Sequence, residues 1–199
     1  MADKEVTVVP VANPAALGLV AFGLTTVLLS LINAGVLPKG GEPVVIPLAL
    51  AFGGLMQIFA GAFEFRLANT FGMTAFLGYG AFWWWFALLL LLAGNHWIDI
   101  SAAGPTIGVA LLLWGVFTLY LWVSTFRLPK ITFLIFLTLW VTFGLLGLGA
   151  IQGNASLTQL GGWLGLVCGC LALYRSFGIV TNATFGRVVV PLGATPFLS

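Results

Sequence analysis

The sequence predicts an all-α integral membrane protein of six transmembrane helices, and three observations predict it. Of 199 residues, 61% are hydrophobic and only 6% charged, where a soluble domain carries about a quarter of its residues as Asp, Glu, Lys and Arg. The few charges leave long gaps: Glu5 to Lys39, Glu42 to Glu64, Arg66 to Asp99, Asp99 to Arg127, and Lys130 to Arg175. The last gap is broken near its middle by a single polar turn, Gln152-Gly153-Asn154. A soluble protein is excluded, and the absence of a basic run makes nucleic acid an unsuitable partner.

Each element follows from these gaps. A helix needs about 20 apolar residues to cross the bilayer. The first four gaps each fit one helix, over Leu17 to Val36, Val44 to Phe63, Thr70 to Ala93 and Gly104 to Phe126. The fifth, Ile131 to Tyr174, holds 44 residues. As one helix it would far exceed a hydrocarbon core of about 30 Å. It therefore folds back at Gln152-Gly153-Asn154, which brings the total to six spans. The first apolar stretch has spanning length and follows Asp3, Lys4 and Glu5, so it reads as a retained helix rather than a signal peptide.

Six spans leave both termini on one side. Lys4, Arg66, Arg127, Lys130, Arg175 and Arg187 fall on that side and Lys39 alone on the other. The positive-inside rule then places both termini in the cytoplasm. The expected division is a cytoplasmic tail over 1–12, a transport domain over 13–175 and a second cytoplasmic tail over 176–199.

Glycine is abundant within the spans. Gly161, Gly165 and Gly169 recur every four residues on the sixth helix, a spacing that lets two backbones approach closely. The seam lies either within one subunit or between subunits. Gly53, Gly54 and Gly61 mark similar contact on the second helix. Trp83, Trp84 and Trp85 cover about 200° of the third helix, so most of them are expected to face lipid or a neighbouring subunit. Cys168 and Cys170 point to different faces and read as packing residues.

The scarce polar residues align in stripes. Phe22, Thr26, Ser30 and Asn33 share a face of the first helix, and Gln57, Gly61 and Glu64 share one on the second. Asn69, Gly72, Phe76 and Tyr79 form the stripe of the third, which opens at Asn69-Thr70. The fourth helix offers Thr118 and Thr125, and the fifth Thr138 and Thr142 around Leu139. Any single Thr serves as well for helix-to-helix hydrogen bonding, but three stripes on consecutive helices favour a path for a small polar solute. Glu64 is the one acid near a span, read either as a functional group or as a boundary partner of Arg66. Asn69 is placed to cap the third helix.

Several chemistries are excluded by composition. His96 is the only histidine, so paired haem ligands, a zinc cluster and a His-lined ammonia pore are ruled out. No Walker motif, no Ser/His/Asp set and no intramembrane Lys is present, so the protein does not read as an enzyme and no cofactor is expected.

Specific residues then carry a resemblance. Asn13-Pro14-Ala15-Ala16-Leu17-Gly18-Leu19 resembles the N-terminal signature of the acetate uptake transporters, the succinate–acetate permeases. The match continues through Asn33-Ala34-Gly35, Gln57-Ile58-Phe59-Ala60-Gly61, Asn69-Thr70-Phe71-Gly72, Trp114-Gly115-Val116-Phe117-Thr118 and Phe185-Gly186-Arg187. Ala16 departs from it, standing where the family usually has a second proline, and Ser30 and Ile32 replace more polar residues. The resemblance implies a hexamer with one path per subunit and a fold similar to urea channels, built from two inverted three-helix halves. Asn69-Thr70 and Asn154-Ala155-Ser156 open the third helix of each half. It also implies an apolar constriction formed by Phe22, Tyr79 and Leu139, with the Tyr79 hydroxyl offering the solute one polar contact. Asn13, Pro14, Leu17 and Gly18 would stand at the mouth, and Thr26, Ser30, Asn33, Gln57, Glu64, Asn69, Thr70 and Thr142 along the path.

The function so implied is a transporter or anion channel of the inner membrane for acetate and similar small carboxylates, succinate among them. A bare carboxylate in hydrocarbon costs tens of kcal/mol on a Born estimate. Crossing as the neutral acid costs about 3–4 kcal/mol at pH 7 for a carboxyl pKa near 4.3, so coupling to a proton is credible. One alternative is a passive channel for urea or an amide, and a second is a carboxylate-binding membrane sensor, for which the short tails hold no signalling domain. The orientation is open to direct measurement. A cysteine introduced at Gly41 should react with an impermeant thiol reagent added outside cells, and one at Leu128 should not; the reverse pattern would invert the topology.

Overall fold

In the computed structural model, which describes residues 11–193, six long helices form a ring in chain order. Residues 1–10 and 194–199, which hold most of the expected 1–12 tail and the end of the 176–199 tail, lie outside the described residues. Helix α1 is Ala15–Asn33, α2 Glu42–Arg66, α3 Thr70–Gly94, α4 Gly104–Ser124, α5 Lys130–Gln152 and α6 Ala155–Phe185. All six are long and apolar enough to span a membrane, and with the outward apolar faces of α2 and α4, where Phe63, Phe65, Leu113 and Val123 are exposed, they make a multi-pass membrane protein.

The turns stop the helices where polar and glycine residues permit. Gly153 ends α5 with φ 61°, a left-handed conformation that costs glycine nothing. Asn154 then opens α6, its Oδ1 accepting hydrogen bonds from the N–H groups of Ser156 and Leu157 at 3.0 and 3.2 Å. Asn69 does the same for α3, accepting from Gly72 N–H at 3.1 Å. An Asn thus caps the third helix of each half, in keeping with the expected internal symmetry.

Two departures from regularity matter. Pro47 lies inside α2, and Ala49–Met56 forms a π-helical segment between Glu42–Leu48 and Gln57–Arg66. Trp84 packs its indole against Gly54 and donates its N–H to the Leu50 carbonyl at 3.2 Å, which gives a carbonyl of the π-helical segment an outside donor. Helix α6 runs on to Phe185, ten residues beyond the end expected at 175. The chain then folds back along α6, where Asn182 Oδ1 accepts from Val189 and Val190 N–H and its Nδ2 donates to the Val190 carbonyl.

The two halves meet at two unequal junctions. Between α1 and α6 the backbones almost touch. A Cβ on Gly162 would strike the backbone of Asn33 and Ala34, one on Gly169 would meet Val27 and the Gly23 carbonyl, and one on Gly165 would meet Ser30. Gly161 faces Leu145 and Leu146 of α5. The glycine stripe of α6 is therefore a seam within one subunit. At the other junction α3 meets α4 through aromatic rings: the Tyr79 and Phe117 rings lie 5.4 Å apart, those of Phe82 and Trp114 5.3 Å apart, and the Phe117 ring packs on Gly78. The tryptophan triplet does not behave as expected. Trp83 is 2% exposed and belongs to the core, Trp85 is half-buried on Phe82, and only Trp84 is exposed. A helix that is apolar all round carries no polar face to tell which tryptophan points inward.

The seam is testable by volume. Gly162→Ala places a methyl group against backbone that cannot rotate away, and should destabilise the bundle by about 1–3 kcal/mol. Gly144→Ala, with nothing within 4 Å of the added carbon, should stay within about 0.5 kcal/mol of wild type. Thermal unfolding of the detergent-solubilised protein measures both.

Candidate functional site

Inside the ring lies a cavity of about 90 Å³, enclosed by α1, α2, α3, α5 and α6. It has room for a few waters or one small solute. Its walls are mostly apolar and set by helical spacing: Ala15, Leu19 and Phe22 on α1, Gly72, Phe76 and Tyr79 on α3, and Ile135, Phe136 and Leu139 on α5. Phe22 and Tyr79 have ring centroids 5.8 Å apart, and Tyr79 and Phe136 6.1 Å. Phe22, Tyr79 and Leu139 are 6%, 3% and 4% exposed, so the three residues expected to form the constriction are brought together, buried, on one cavity.

The cavity has one charged end. Glu64, near the end of α2, is 2% exposed, and its carboxylate accepts a hydrogen bond from Asn69 Nδ2 at 2.7 Å. Asn69 thus works in two directions, capping α3 with its oxygen and holding Glu64 with its nitrogen. Of the two readings of Glu64, a boundary pair with Arg66 is not favoured: Arg66 is exposed, and the cation that shares the cavity lining with Glu64 is Arg175 of α6. Arg175 Nε is buried with no hydrogen-bond partner among the described residues. By the spacing of charges Arg175 falls just past the last span. The signal to the contrary was the apolar run Phe177-Gly178-Ile179-Val180 that continues the helix past it.

Gln57 is the polar residue of the cavity farther from the mouth. It is 1% exposed, and neither Nε2 nor Oε1 has a hydrogen-bond partner among the described residues. A buried polar group left unmatched costs about 1–3 kcal/mol. Both atoms therefore keep their hydrogen-bonding capacity free toward the cavity.

Other expected path residues lie elsewhere. Thr26 is buried one turn beyond Phe22, its hydroxyl also unpartnered among the described residues. Ser30 and Thr142 converge on Gly165, and the Thr142 hydroxyl donates to the Thr138 carbonyl at 2.8 Å. Asn33 is half-buried at the last turn of α1, and Thr70 is exposed at the start of α3. At the mouth, Asn13 Oδ1 accepts from Ala15 N–H at 3.0 Å, Pro14 precedes the first turn, and Leu17 is half-buried. Gly18 leaves the space into which the Phe76 ring packs. This motif seats α1 and one wall of the cavity, and Ser176 fastens it by donating to the Ala16 carbonyl at 2.6 Å.

The Tyr79 hydroxyl corrects a further expectation. It donates to Thr118 Oγ1 at 3.0 Å, and Thr118 in turn donates to the Trp114 carbonyl at 2.7 Å. Its proton is committed to α4, so Tyr79 presents its ring, not its O–H, to the cavity. Outside the spans, the Asp99 carboxyl is held below its ordinary range by hydrogen bonds from Ser101, which keeps a negative charge in the α3–α4 turn.

Comparison with known proteins adds to this geometry. The profile of the GPR1/FUN34/yaaH family matches residues 3–196. The succinate-acetate/proton symporter SatP of Escherichia coli (strain K12) is 43% identical, over 92% of this chain and 95% of that protein. Acetate permease A of Emericella nidulans is 36% identical, over 98% of this chain and 70% of that protein. The solved structure of the bacterial acetate channel SatP superposes with a TM-score of 0.88 at 42% identity, over 92% of this chain and all of that one.

The hydroxyl pair is the testable element of this geometry. Tyr79→Phe and Thr118→Val each remove the same buried bond and should each destabilise by about 1 kcal/mol. The double variant should be well short of the sum, because the two residues share one interaction. Thermal melts of the three variants decide it, and full additivity would mean that the bond contributes nothing.

Proposed function

The chain belongs to the GPR1/FUN34/yaaH family, and from that premise we propose that it moves acetate and related small carboxylates, succinate included, across the inner membrane together with a proton. The observation that carries the reading is a cavity with a charged end at Glu64, Asn69 and Arg175 and an apolar end at Phe22, Tyr79 and Leu139. A carboxylate arriving at the mouth meets a guanidinium with spare donor capacity and an Asn side chain. Beyond them the wall is aromatic and aliphatic, and a bare carboxylate there would cost tens of kcal/mol. Taking up a proton costs about 3–4 kcal/mol at pH 7, so the lower route is passage as the acid. The named relatives are a symporter, a permease and a channel, in keeping with transport and not with catalysis.

Both termini lie in the cytoplasm, supported by the basic residues gathered at the ends and at the α2–α3 and α4–α5 turns. The transport unit begins at residue 13 and takes in the whole of α6, with tails on either side. Subunits assemble as a hexamer, each with its own path, and the exposed apolar faces of α2 and α4 supply surface for lipid and for neighbours.

The constriction at Phe22, Tyr79 and Leu139 is the neck of the proposed path, and both its selectivity and the coupling to protons can be measured. Radiolabelled acetate should enter proteoliposomes faster with an inward proton gradient than without one. Leu139→Ala shortens one wall of the neck without removing an aromatic ring, and should raise the ratio of lactate to acetate uptake severalfold while acetate uptake is largely kept. An unchanged ratio in a well-folded variant would put the constriction elsewhere.

A further inference from the structure

We infer that Gln57 is the group that recognises the solute in the neck, and that it selects the neutral carboxyl group together with a second class of solute, small primary amides; this rests on the transport reading above. Gly80 packs against the Gly54 carbonyl and the Ile58 backbone, so residues 54–58 of α2 lie level with Tyr79 and Gly80 of α3. Gln57 therefore stands at the height of the aromatic ring, about two turns farther in than Glu64. It is 1% exposed, lines the cavity, and has both amide atoms unpartnered among the described residues.

The chemistry of an amide decides what it can hold. Gln57 presents one acceptor, Oε1, beside one donor, Nε2–H. A protonated carboxyl group presents the complementary pair, O–H and C=O, so the two close a ring of two hydrogen bonds. A carboxylate has only acceptors. It can take Nε2–H, but it then sets a negative charge beside Oε1 with no cation at that depth. The charged and titratable groups around this position are few. Glu64 on α2 and Arg175 on α6 lie toward the mouth, Tyr79 on α3 commits its O–H to Thr118, and Cys168 on α6 donates to the Ile135 carbonyl. Helices α1 and α5 contribute Phe22, Phe136 and Leu139. The solute's proton is taken from water on one side and returned to water on the other, and nothing in the neck needs to accept it.

The same complementarity fits a primary amide, which has a C=O and an N–H in the places of the acid's C=O and O–H. Acetamide matches acetic acid in size and never ionises over the physiological range. The neck therefore has no means of refusing it, and no dependence on pH in passing it.

The full-length chain in proteoliposomes tests this, with influx of labelled acetate and of labelled acetamide measured from pH 5.5 to 7.5 and protein-free vesicles subtracted. At fixed total concentration, acetate influx should fall about tenfold for each pH unit above the carboxyl pKa, while acetamide influx stays level. Gln57→Leu should lower both at least tenfold. Gln57→Glu, nearly the same shape, should pass acetate at pH 5.5, where a protonated side chain restores the donor–acceptor pair, and lose it more steeply than wild type as pH rises. It also serves if Gln57→Leu fails to fold. Acetate influx that is flat with pH, exclusion of acetamide by wild type, or unaltered influx in either variant would overturn the inference. Absent acetate influx with Gln57-dependent acetamide influx would sink the carboxylate reading and leave the amide pairing standing; absence of both would sink both.

Discussion

The close approach of α1 to α6 is the contact on which the remaining geometry depends. Between lipid-exposed helices there is little hydrophobic driving force, and association rests on packing and hydrogen bonds. Gly23, Gly162, Gly165 and Gly169 bring the first and last helices together along most of their length, and Ser176 fastens the near end to the Ala16 carbonyl. This closes the ring and holds Phe22, on α1, at a set distance from Tyr79. The opposite junction, α3 with α4, is held by aromatic side chains and the Tyr79–Thr118 bond. The first seam includes direct backbone approach, whereas the second is held by rings that can turn, so the second has more freedom to rearrange.

Hydroxyl groups in the spans mostly satisfy themselves. Thr25, Thr118, Thr138, Thr142 and Thr184 each donate to a carbonyl four residues earlier in their own helix. A stripe of threonines on a helical wheel is therefore a poor guide to a polar lining. Among the described residues that line the cavity, the Gln57 amide and the Arg175 Nε are buried with unused hydrogen-bonding capacity, which is what a solute entering there would meet.

Much of the fold was legible because charge is so scarce. The reversal at Gln152-Gly153-Asn154 and the start of α3 at Asn69 follow from polar and glycine residues that suit a helix end and a cap, and both appear as capped helix starts. Azimuth was not legible to the same degree. Trp83 turns inward beside its exposed neighbour Trp84 because both flanks of α3 are apolar and only packing partners distinguish them. Arg175 marks a boundary by composition, yet it lies ten residues inside α6, where the cavity lets a charge stand among apolar neighbours. The partner of the Tyr79 hydroxyl is 39 residues away on another helix, beyond the reach of any local pattern. The family resemblance named the ring of Phe22, Tyr79 and Leu139; the direction in which each side chain points is a tertiary fact.

The π-helical segment of α2 sets a phase as well as a shape. Hydrogen bonds that reach five residues instead of four fit more residues into each turn, so the helix after Met56 is rotated relative to what an unbroken α-helix would give. Val45, before the segment, is wholly buried, and Gln57 and Glu64, after it, are nearly so. The two stretches are therefore indexed independently, like two shafts joined by an offset coupling. Chain length within 49–56, and not only residue identity, determines which side chains the later half turns toward the interior. Loss of a single residue there would swing Gln57 and Glu64 by about 100° without altering either one, which makes this stretch a place where a length change acts as a change of lining.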